Sequence, residues 1–126
     1  MKHRGAWTAA AMFAFALGGR AYAHHAAGLF DQSKLVTVTG TVKAFQYTNP
    51  HSWLLLTVND GKGGETQWSF ETEGPSTLQR AGVNKNSLKP GDKVTVTGRP
   101  LRDGRKAASL VQVTYPDGRT LVPTPR

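Results

Sequence analysis

From Leu35 to Phe45 the chain alternates between apolar and polar residues. Val36, Val38, Val42 and Ala44 fall on one face and Thr37, Thr39, Thr41 and Lys43 on the other, which predicts a half-buried strand rich in β-branched residues. Gly40 in its middle marks a bulge or sharp bend, as in a strand that curls around a small barrel. Tyr47-Thr48-Asn49-Pro50-His51 breaks the pattern with an Asn-Pro turn signal. Ser52 to Asn59 follows as a second strand, with Leu54, Leu56 and Val58 on one face. Trp53 and Leu55 occupy its other face, so both sides are partly covered. Asp60 to Gly64 reads as a hairpin loop, and Thr66 to Thr72 as a third strand burying Trp68 and Phe70.

The period then changes. Pro75 suits a first helical position, Leu78 and Ala81 share a face, and Gly82 is placed to stop a short helix. Leu88-Lys89-Pro90-Gly91-Asp92 turns into a fourth strand, Lys93 to Gly98, which buries Val94 and Val96. Arg99 to Ala107 is a polar, basic loop around an Asp103-Gly104 turn, and Ser109 to Tyr115 is a fifth strand with Val111 and Val113 inward. Pro116-Asp117-Gly118 turns the chain, and the segment after it, 117–126, is expected as a tail. Three strands, a short helix and two strands predict a mainly β fold: a five-stranded OB-fold-like barrel with one short helix between strands 3 and 4. A small open sheet with a helix packed on it competes. The barrel is favoured by the apolar second face of strand 2 and by Gly40 and Gly98 at plausible corners.

The residues ahead of this barrel have another character. Lys2 and Arg4 precede an apolar stretch, Ala6 to Leu17, and Ala21-Tyr22-Ala23 forms an Ala-x-Ala cleavage signal. The stretch falls short of the roughly 20 apolar residues that span a bilayer. Residues 1–23 are therefore expected to be a signal peptide, 24–35 an N-terminal segment, 36–116 the barrel, and the destination the bacterial periplasm. The chain has no cysteine, which excludes disulfides, thiolate metal sites and a cysteine nucleophile. Its formal charge is +8, and loss of Lys2, Arg4 and Arg20 with the leader takes this to +5. A basic surface suits anionic partners, of which nucleic acid is the least available outside the cytoplasm.

His24-His25-Ala26-Ala27-Gly28-Leu29-Phe30-Asp31, Val38-Thr39-Gly40-Thr41-Val42, Asn49-Pro50-His51, Leu88-Lys89-Pro90-Gly91-Asp92 and Arg102-Asp103-Gly104 occur in order. Together they resemble a family of small exported bacterial proteins, domain of unknown function 6152. Its members typically open His-His-Ser-Phe-Ala, where Ala26 and Ala27 follow the histidines here, and often carry Gly-Trp after the helix, where this chain has Gly82-Val83. The resemblance implies export and an OB-like barrel, and it implies no activity.

Cleavage after Ala23 leaves His24, His25 and His51 as the histidines, in two short segments. The free amine and imidazole of His24 make a chelate, which His25 or His51 would complete as a nitrogen set suited to copper, with Asp31 adding an oxygen or supporting a ligand. The loops between strands 1 and 2 and between strands 4 and 5 flank the usual ligand face of this fold. They offer a second candidate site, Tyr47 and Asn49 with Arg99, Arg102, Arg105 and Lys106, for an anionic envelope component. Serine-based catalysis has no support, because Ser52, Ser69, Ser76 and Ser109 lack a nucleophile elbow. Glu71 and Glu73 share a strand face and could pair as an acid and a base, but such a pair is more often the solvent side of an edge strand. The function expected is that of a small periplasmic binding protein, not an enzyme. Metal binding, anion binding and a purely structural or interaction barrel remain the three readings.

Overall fold

Strand β1 (Val36–Gln46) is long because it serves two neighbours in turn. Val36–Thr41 pairs antiparallel with β4 (Lys93–Pro100), and Thr41–Gln46 with β2 (Ser52–Asn59). β2 runs its whole length beside β3 (Glu65–Thr72), and β4 pairs antiparallel with β5 (Ala107–Thr114). A parallel ladder between Ser69–Glu71 and Ala107–Ser109 then joins β3 to β5 and closes the barrel. This is the five-stranded OB-fold, with helix α1 (Pro75–Arg80) between β3 and β4 as the strand order predicts. The computed structural model describes residues 28–125. No helix among them is long and apolar enough to cross a membrane.

Two glycines mark the corners, in different ways. At Gly40 the ladder to β4 runs unbroken through the pair Gly40–Val94, so of the bulge or sharp bend expected there no bulge forms. The glycine is needed for close approach instead: a Cβ at position 40 would lie 2.6 Å from the Thr57 carbonyl oxygen. The bulge falls at Lys43, since Val42 faces Leu56 while Ala44 faces Leu55. This extra residue reverses the alternation, so Ala44 lies on the outer side with Leu55 and Phe45 packs against the core. A second shift sits at Gly98. Thr97 pairs with Gln112 and Gly98 with Leu110, which makes Val111 the extra residue. Ala108, Leu110 and Val113 face inward, and Val111, expected inside, is half-buried.

The core centres on Leu54, Leu56, Phe70, Val94, Val96 and Val113, with Trp68 partly exposed at its margin and stacked on Phe70. Leu88, from the loop after α1, joins the same cluster. Gly82, at φ +80°, ends the helix: its N–H donates to the Gln79 carbonyl and that of Val83 to the Leu78 carbonyl. Leu78 and Val83 are both buried, which supplies the apolar contact that goes with this cap. The chain end departs from the expected tail, because Thr120–Leu121 forms β6 against Val113–Thr114 and Pro123 is buried.

Gly98→Ala is the direct test of the closure. In a strand with room for a Cβ, replacing glycine by alanine gains about 0.5–1 kcal/mol. Here the Cβ would lie 2.8 Å from both the Ala108 Cβ and the Ser109 carbonyl oxygen. The substitution is expected to cost about 1–3 kcal/mol of unfolding free energy, read from the denaturant midpoint. A midpoint equal to or above that of the parent would contradict the packing.

Candidate functional site

Alternation along four adjacent strands puts one row of side chains on the outer face. Trp53, Glu71, Ser109 and Arg99 follow one another across β2, β3, β5 and β4 in register. His51 stands just before β2, diagonal to Glu71, and the Asn49–Pro50 peptide ahead of it is cis. The His51 Nδ1 lies 2.6 Å from the Glu71 Oε1. A carboxylate at that distance favours the tautomer with its proton on Nδ1, which in the neutral ring leaves Nε2 its lone pair. The His51 side chain is 45% exposed and that of Glu71 only 18%. The imidazole thus has a carboxylate on one side and solvent on the other, an arrangement that suits metal ligation. Glu71, read from sequence as solvent side, is instead half-buried against His51. The signal was present in the hairpin register, which sets residue 53 against 71 and leaves 51 on the diagonal.

The strand 1–2 loop contributes less than expected. Tyr47 turns inward, its hydroxyl donating to the carbonyls of Pro75 (3.0 Å) and Val83 (3.1 Å), and so ties the loop to α1. Asn49 is exposed beside it.

The basic loop has an occupation of its own. Phe30 pairs with Leu101 and is buried, Asp31 N–H donates to the Pro100 carbonyl, and Arg102 N–H to the Leu29 carbonyl. Leu29 itself is exposed, so Phe30 is the buried side chain that anchors the N-terminal segment, the arm, and it does so on the strand 4–5 loop. Arg99 donates to the Gln32 carbonyl and the Arg102 Nε to the Gly28 carbonyl at 3.1 Å. Arg105 turns back on Asp103 at 2.7 Å. Of the cations expected to bind an anion here, Arg99 and Lys106 have no carboxylate within ion-pair distance among the described residues, and Arg99 is taken up by the Gln32 carbonyl.

Asp31 is likewise committed. Its carboxylate accepts the Ser33 hydroxyl (2.6 Å) and backbone N–H (3.1 Å), with Lys34 Nζ at 3.5 Å and Arg102 at 4.0 Å. The Ser33 bonds, hydroxyl first, and then the Arg102 charge hold its pKa below the ordinary aspartate value. The structure does not bring Asp31 to His51: among the described residues no three His, Asp or Glu side chains gather as a metal site. His24 and His25 lie outside the described residues.

Fold and site define a small single-barrel β protein with an outer-face histidine oriented by a carboxylate. The chain belongs to a family of unknown function, DUF6152, whose model matches residues 12–110. None of the curated proteins and none of the solved structures compared with it is a match.

Because its folded-state pKa is lowered, Asp31 helps hold the arm fully above the ordinary carboxylate value, and this help fades as pH falls through the lowered one. An NMR acid titration followed at the Ser33 and Arg102 amides should give a midpoint below that of an ordinary aspartate. A midpoint at or above it would contradict this wiring of the arm.

Proposed function

We propose that this is a small exported binding protein for a transition-metal ion, copper above all. His51 is the ligand built into the barrel, and the amine and imidazoles of His24 and His25 are the ligands carried on the arm. In this reading the leader is removed after Ala23 and the protein acts in the periplasm, where it holds or hands on the ion. The observation that supports it is the His51–Glu71 contact, the kind of carboxylate partner that orients metal-ligating histidines. An all-nitrogen set of imidazoles and amine suits Cu(II) in a tetragonal geometry.

The arm sets a condition. Gly28 is held at Arg102, five residues along the strand direction from the level of His51 and two strands away around the barrel, or about 17 Å along and about 10 Å across. Four extended residues span at most about 14 Å. A shared ion then requires 24–27 to run back along the outer face, with the imidazoles approaching the ion from both sides. An arm with no slack gives an open, exchangeable site, which fits delivery better than permanent storage.

Isothermal titration of Cu(II) into protein beginning at His24 tests this. One equivalent should bind, and Glu71→Gln should weaken it roughly 10–100-fold, the range for loss of an orienting partner. His51→Ala, or acetylation of the His24 α-amine, should weaken it at least as much. Binding that is indifferent to His51→Ala would overturn the barrel's part in the site, and binding indifferent to the acetylation would overturn the amine chelate.

A further inference from the structure

The end of the barrel opposite the strand 4–5 loop carries a broad groove of about 1490 Å³. One wall is the turn after α1 with the loop that follows it, and the other is the β5–β6 hairpin. Tyr115 joins the walls by donating its hydroxyl to the Ser87 carbonyl. Arg80, Lys89, Lys93 and Arg119 line the groove against Asp92 and Asp117. Both acids are engaged already. Asp117 pairs with Arg119 at 2.7 Å, and Asp92 accepts the Lys89 backbone N–H at 2.9 Å. Lys89 and Lys93 are exposed and, among the described residues, have no carboxylate within ion-pair distance. The contrast with the other end is direct: there the arginines hold the arm, whereas here the lysines face solvent and the four cations of the groove outnumber its two acids.

The size and lining of the groove narrow the ligand. Its volume exceeds the roughly 300–1,000 Å³ of a small-molecule pocket, so the ligand is extended. Asn86, Ser87 and Thr120 give it hydroxyl and amide groups along both walls. Its one aromatic ring, Tyr115, is covered by the Arg119 guanidinium 4.9 Å from the centroid, which leaves no platform for successive bases. Leu121 and Val122 form too small an apolar lip to enter a lipid surface. We propose that this groove binds an extended acidic polysaccharide, with Lys89 and Lys93 as the principal cations and the polar walls meeting its hydroxyls.

Heparin is a suitable probe, with affinity measured against salt in the absence of copper. Binding should weaken severalfold in Lys89→Ala/Lys93→Ala, with a salt slope shallower by about two, one for each lost cation. Lys43→Ala/Lys62→Ala, equal in charge but away from the groove, should bind as the parent does, and so should His51→Ala, which separates this groove from the metal reading. The proposal is overturned if the two double variants weaken equally, which would leave net charge alone, or if the parent does not bind heparin. It is also overturned if a single-stranded oligodeoxynucleotide or anionic phospholipid vesicles bind more tightly than heparin and lose that binding in Lys89→Ala/Lys93→Ala.

Discussion

Three residue pairs, Ser69–Ala107, Phe70–Ala108 and Glu71–Ser109, turn a twisted sheet into a barrel. Such a short parallel ladder between strands far apart in sequence has little strength of its own. What holds it is beneath it: Phe70 is fully buried, and its ring lies 3.1 Å from where a Cβ at position 98 would be. Burying a phenylalanine contributes about 1.5–3 kcal/mol, and the bare Gly98 lets β5 come close enough for that burial to be complete. The same closure sets the outer row. With β3 between β2 and β5, Glu71 has Trp53 on one side and Ser109 on the other, and it meets His51 on the diagonal. The β2–β3 register sets that histidine against Glu71, and the closure completes the row with Ser109.

Positive charge is used in two ways at the two ends of the β4–β5 hairpin. At the strand 4–5 end, Arg99 and Arg102 donate to carbonyls of the arm, and Arg102 and Lys34 neutralise Asp31. Exposed ion pairs of this kind contribute little singly. Their effect here is positional, since together with Phe30 they fix where the chain enters the barrel. At the other end the lysines of the groove hold nothing inside the protein.

Much of this was legible in the sequence. Alternation located the five barrel strands, and Pro75 with Gly82 framed the helix, because the signals are local and strong. Local rules fail where a strand gains a residue. Nothing in Lys43 or Val111 announces a bulge, so the faces of Ala44 and Val111 followed from tertiary pairing alone. The candidate site divides in the same way. His51 stood out by rarity, but the roles of Glu71, Tyr47 and the arginines depend on which carbonyl or carboxylate lies opposite, and register and loop packing decide that. Tyr47 illustrates the point: an aromatic residue in a ligand-flanking loop, it serves to fasten that loop to the helix.

The account stands on the His51 imidazole being set by Glu71 so that Nε2 faces outward. Long-range ¹H–¹⁵N correlation of the histidine rings reads this directly. The neutral His51 ring should carry its proton on Nδ1, with Nε2 showing the shift of an unprotonated nitrogen, and Glu71→Gln should move the balance toward Nε2–H. A parent protein whose His51 is already the Nε2–H tautomer would contradict the account.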